Sequence, residues 1–212
     1  VRGSRIIWLV FWLVFVSYAL ILAPGGRGGE DPHLLPLLTL SDEHPLLLAV
    51  FSLLGLFPMA YAALLLREDS ARVPAWPFSL AAFGLGAFAL IPYYIVNRSL
   101  APEVQPRVPT PIASVIKSRT YLIAVSLLTL VVAGYGLGAG RLSELTDAMT
   151  TSQFVHVMTI DLVVLWLFSI YCIRRDARRN GASPRLAWLG LLPIIGLCLY
   201  VGLGKTREGG RV

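Results

Sequence analysis

Hydrophobic residues in this chain come in blocks of about 18–21, the length that carries an α-helix across a ~30 Å hydrocarbon layer. Composition points the same way. Of 212 residues, 56% are hydrophobic and only 14% charged, too few to coat a water-soluble core of this length. The fold expected is all-α: a single polytopic transmembrane domain over 1–212 with about six helices and no soluble domain. The blocks place them at 6–23, 46–66, 76–96, 120–139, 153–173 and 187–204. The first block is longer than a signal-peptide core, and Pro24 would follow a cut after Ala23, so it reads as a retained helix.

The net charge of +6 arises from cations between the apolar blocks rather than from a separate basic domain. That pattern suits anionic headgroups and argues against nucleic acid. Six crossings divide the 18 Lys and Arg almost evenly between the two faces. The cluster Arg174, Arg175, Arg178 and Arg179, read as a loop, then points its face to the cytoplasm, while Arg2 and Arg5 pull the other way.

Local signals mark helix ends. Ser41, Asp42, Glu43 and His44 before Pro45 form a cap-like start, and Thr150 with Gln153 reads as a capping box. Ser183 and Pro184 supply a cap and a first-turn proline. Pro102, Pro106, Pro109 and Pro111 crowd a segment read as a non-helical surface strap. Gly134, Gly136, Gly138 and Gly140 end a span and lack the strand-to-helix setting of a nucleotide loop, so they read as close packing or a frayed end. Cys172 and Cys198 fall at different depths, too far apart for a disulfide.

Asp161 is the residue with most to say about chemistry. It falls about eight residues into the fifth block, roughly 12 Å deep, where an ionised carboxylate costs at least ~2.5–3.5 kcal/mol. It needs a partner or a polar interior. Pro58, Gly84, Gly86, Pro193 and Gly196 fall near the same level, with Thr129 within a turn, and such residues free backbone groups or let helices approach. Asp161, Thr129 and Thr159 therefore form a candidate polar membrane site, either structural or built for a proton, ion or pigment. His156 shares a face with Ser152 and Thr159 but points away from Asp161. Its imidazole, like those of His33 and His44, is a candidate ligand for a chlorophyll magnesium or a haem iron. Three histidines lack the spacing of a zinc or di-iron cage, and no nucleophile elbow is present. The cluster at Tyr93, Tyr94, Asn97 and Arg98 reads as interfacial anchoring, and Arg174–Arg179 as a topology signal or a surface for anionic lipid or an acidic partner.

The stretch from Phe154 through His156 and Asp161 to Leu162, the basic Arg174–Arg179 run and a closing helix with Trp188, Pro193, Gly196 and Tyr200 resemble a group of multi-span membrane proteins of cyanobacteria and plastids. Ala89-Leu90-Ile91-Pro92-Tyr93-Tyr94 is similar there too. The resemblance covers the last two-thirds of the chain and implies a thylakoid or bacterial inner membrane, with His156 and Asp161 as shared polar positions. The expected function is a non-enzymatic accessory or assembly subunit of a photosynthetic pigment–protein complex, holding chlorophyll, carotenoid or lipid at its edges beside other membrane subunits. Two alternatives stand beside it: a small transporter or channel using Asp161, and an intramembrane enzyme acting on an isoprenoid or carotenoid.

Overall fold

The computed structural model describes residues 2–27, 30–41, 44–66, 73–97 and 108–208, without the side chains of 2–4, 110 and 205–208. Among them every regular element is helical. In chain order they are α1 (Arg2–Ser17, continued by a π-turn over Tyr18–Leu22), α2 (Leu34–Leu38), α3 (Pro45–Leu65), α4 (Trp76–Val96), α5 (Thr110–Lys117), α6 (Arg119–Ala139), α7 (Leu142–Thr151), α8 (Gln153–Arg179), a 3₁₀ helix (Pro184–Leu191) and α9 (Ile195–Glu208). Five segments are long and apolar enough to cross a membrane: Arg5–Leu22, α3, α4, α6 and α8. The sixth expected span is instead two pieces, a 3₁₀ helix and α9, broken at Leu192–Ile194.

One hydrogen-bonded pair and one aromatic pair show how α4 runs. Asn97 Nδ2 donates to the Val73 carbonyl at 2.9 Å, and Asn97 Oδ1 accepts from the Val73 N–H at 2.8 Å. The rings of Phe78 and Tyr93 lie 5.5 Å apart, whereas a straight helix would separate those positions by about 22 Å. The reversal is at Gly86, whose φ of 49° and ψ of −126° break the helix. A backbone there suits glycine and few other residues. Although its length and composition suit a crossing, α4 is a hairpin with both ends at one face of the bundle. Its second arm is mostly buried, and its first arm shows Trp76, Leu80, Phe83 and Leu85 outward.

The chain end folds the same way. The 3₁₀ helix runs inward along α8, with Ser169 Oγ donating to the Gly190 carbonyl at 3.1 Å and Trp166 Nε1 to that of Leu191 at 3.1 Å. After Pro193 and Ile194, α9 returns, so that the Tyr200 hydroxyl reaches Asp176 Oδ2 at 2.7 Å. The helices that run the full length of the bundle are thus α1, α3, α6 and α8. Tyr18 meets His156, Pro45 and Leu46 meet Gly136 and Gly140, and Tyr121 meets Met59, which sets their relative directions.

These hairpins overturn the even division of charge. Among the described residues, every Lys and Arg lies at the face where α4 begins and ends, except Arg27 and Arg141 at the opposite face. Arg67, Arg72, Arg98, Arg107 and Arg211 lie outside the described residues, as do Asp42, Glu43, Pro102 and Pro106.

Other expectations are corrected locally. The Arg174–Arg179 cluster is no loop, because α8 continues through it to Arg179. Part of the expected strap is helical: Pro109 caps α5 and Pro111 sits in its first turn, where no intrahelical N–H is required. The cap of α8 is Ser152, whose Oγ accepts from Val155 N–H at 3.0 Å, while Thr150 belongs to α7 and bonds the Asp147 carbonyl. Ser183 does accept from Arg185 N–H, at 3.4 Å, and Pro184 opens the 3₁₀ helix. Both cysteines are free and buried.

Candidate functional site

The buried seam of α8 alternates three- and four-residue steps through Met158, Asp161, Leu165, Phe168 and Cys172, the spacing of one helical face. Asp161, 3% exposed, points from this seam at the α4 reversal. Its Oδ1 accepts the Ala87 N–H at 2.9 Å, and a Cβ on Gly86 would overlap Oδ2. The break leaves the second arm of α4 with N–H groups that lack intrahelical acceptors. Asp161 supplies one, at the helix end where a carboxylate is favoured.

One α8 residue at the other end completes the grip. Arg175 donates to the Tyr94 carbonyl at 3.1 Å and lies over the Tyr94 ring, 4.9 Å from its centroid. Arg174, Arg178 and Arg179 are exposed, so the basic cluster divides into a packed cation and three at the surface.

Asp161 is not joined by the threonines expected beside it. Thr129 Oγ1 donates to the Val125 carbonyl and Thr159 Oγ1 to that of Val155, each at 2.8 Å within its own helix. Of the small and irregular residues grouped with Asp161, Gly86 lies against it. Gly84 has open space where a Cβ would be, and Gly196 packs on Leu189 in the other hairpin.

His156 Nδ1 faces the Met149 carbonyl at 2.9 Å, which places a proton on that nitrogen. Its Nε2 meets the Tyr18 hydroxyl at 2.6 Å. A neutral imidazole in this arrangement has its one lone pair engaged, so a magnesium or iron would have to displace Tyr18. His33 and His44 sit at the same face with ring centroids 5.6 Å apart, edge to face. Among the described residues no group of three His, Cys, Asp or Glu could hold a metal ion.

The residue missed in the sequence is Asp31, 7% exposed. Its Oδ1 accepts from the N–H groups of His33 (3.0 Å) and Leu34 (3.2 Å) at the start of α2. Its Oδ2 accepts from Phe154 N–H (3.0 Å) in the first turn of α8, and Ser152 Oγ reaches Oδ1 at 2.7 Å. One carboxylate thus caps two helices. Asp31 followed by Pro32 is the local signature of such a cap, whereas its contact with Ser152 is set by tertiary folding. Gly25 (φ 102°) and Gly26 make the approach possible, since a Cβ on Gly25 would overlap the backbone of Ser152 and Gln153. Gly26 pairs with Thr151 and Gln153 through backbone bonds, and Gln153 Nε2 donates to the Ala19 carbonyl at 2.8 Å.

Because the α4 hairpin turns back at the level of Asp161, it leaves room between α1 and α8 above its tip. A cavity of about 430 Å³ lies there. Leu85 and Phe88 of the hairpin tip and Val157 of α8 line it, with Asp31 and Gln153 at the bundle face.

Comparison with protein-family models, curated proteins and solved structures finds no match for this chain.

Proposed function

We propose that the chain is an integral membrane protein with four crossings and two hairpins inserted from the cytoplasmic face, serving as an accessory or assembly subunit of a larger membrane complex. The one-sided Lys and Arg support the insertion and its direction, because cations are retained on the cytoplasmic side. The observation that carries the role is the bond from Ala87 N–H to Asp161. The carboxyl group buried at mid-depth closes a break in the backbone, so its chemistry is that of a helix cap rather than of a reacting group. Meanwhile the candidate span of α1 is 11% buried and that of α6 22%, against 56% for α3. Those apolar faces are available to lipid and to neighbouring subunits. The photosynthetic setting is the one implied by the sequence resemblance. Purification in mild detergent tests the role: comigration with a larger complex is expected, and a colourless monomer that comigrates with none contradicts it.

A second reading, a small transporter or channel, is favoured by the two hairpins themselves. Broken helices pinned at mid-depth recur where ions and solutes cross membranes. Under this reading Asp161→Asn alters flux in proteoliposomes, and unchanged flux ends it.

A further inference from the structure

Resting on the membrane reading above, we propose that the cavity over the α4 tip binds an amphiphile with one apolar tail and a neutral, hydroxyl-bearing head. The tail lies against Leu85, Phe88 and Val157, and the head at Gln153 and Asp31.

The cavity follows from the fold. A helix that crossed fully would fill the space beside α8, but α4 stops at Gly86, and α1 meets the start of α8 through Tyr18–His156 and Gln153–Ala19. Its volume of about 430 Å³ falls in the range of small-molecule sites, roughly 300–1,000 Å³. Along α8 the lining runs from Gln153 at the bundle face to Val157, about 6 Å at the helical rise, and Leu85 and Phe88 of the hairpin tip close its inner end. Polarity changes along that depth: Leu85, Phe88 and Val157 below, a carboxylate and an amide at the face. Leu20 and Leu85, which also line it, are 67% and 57% exposed, so the cavity is open to the bilayer's apolar layer.

The rim selects the head. The acceptor sites of Asp31 are already taken by three backbone N–H groups and Ser152, so Gln153 supplies the hydrogen bond to a ligand. Gln153 has one amide hydrogen committed to Ala19, and its carbonyl oxygen is a further acceptor. A head that donates a hydrogen bond complements this rim, whereas a second carboxylate would be repelled by Asp31. Straight-chain alcohols or monoglycerides and isoprenoid alcohols share that chemistry.

The test uses the full chain in detergent micelles with a hexadecanol analogue bearing a diazirine on its tail. Saturable photolabelling at Leu85, Phe88 and Val157 is expected. Excess hexadecanol should compete if the pocket takes straight chains, and geranylgeraniol if it takes branched ones, while palmitate should not compete. Leu85→Trp and Val157→Trp should each abolish saturable labelling, and Leu127→Trp on the exposed face of α6 should leave it intact. The thermal unfolding midpoint identifies a variant that has lost its fold, and Leu85, being largely exposed, supplies the variant that retains it. Non-saturable labelling spread over α6, saturable labelling that persists in folded Leu85→Trp, or equal competition by palmitate would overturn the proposal. Release of the protein from membranes by alkaline carbonate would instead overturn the membrane reading.

Discussion

Asp161 and Arg175, about four helical turns apart on one face of α8, hold the two ends of the second arm of α4: Asp161 at Ala87 N–H and Arg175 at the Tyr94 carbonyl. Each charge matches the helix end it meets, acid at the amino end and base at the carboxyl end. A short helix whose first turn lies inside the bundle is thereby supplied with partners at both ends by one neighbour. Within the same stretch of α8, Trp166 and Ser169 serve the second hairpin.

Glycine at the reversal is a requirement of space as well as of backbone angle. Gly86→Ala places a Cβ on Asp161 Oδ2 at positive φ, and should lower stability by more than about 1 kcal/mol. Gly84→Ala, two residues earlier with open space at its Cβ, should be neutral or stabilising by up to about 1 kcal/mol. Thermal unfolding in detergent separates them, and equal midpoints for the two variants would contradict the role given to Gly86.

Replacing Asp161 distinguishes charge from hydrogen bonding. Asp161→Asn keeps an acceptor for Ala87 N–H and should cost less than Asp161→Ala, which orphans that donor at a cost of about 1–3 kcal/mol. Hydrogen exchange at Ala87 reads the same event locally. Protection that survives Asp161→Ala would show that another group caps this arm.

Asp31 joins segments far apart in sequence, so its loss should be felt at both. Asp31→Ala removes the acceptor for His33, Leu34 and Phe154 N–H groups and should cost about 2–4 kcal/mol. Ser152→Ala should cost about 1 kcal/mol through loss of the Val155 cap. Limited proteolysis between Ala23 and Leu34 should accelerate in the first variant. An unchanged cleavage rate would mean that the Gly26 backbone pairing alone holds the loop.

What the sequence makes legible follows from which forces are local. Lipid-length apolar runs locate α1, α3, α6 and the start of α8, because span length depends only on bilayer thickness. The need of Asp161 for a shelter is equally readable, and Gly86 stands among the residues that depth suggests. The reversal at Gly86 is not legible, since glycine in an apolar run is compatible with a straight membrane helix. It is imposed by contacts between residues distant in sequence: Asn97 with Val73, and Phe78 with Tyr93. One indirect signal was present. An even split of Lys and Arg is unusual for a membrane protein, and folding α4 and the 3₁₀–α9 segment back removes it. The ligand reading of His156 depends on ring nitrogens whose partners, Tyr18 and the Met149 carbonyl, appear only in the folded chain.

Spin labels at Trp76 and Val96, both exposed ends of α4, measure the hairpin directly. An uninterrupted helix would hold these positions about 30 Å apart. The fold described above predicts a principal distance less than half of that in detergent and in lipid nanodiscs, and a principal distance near the straight-helix value would contradict it.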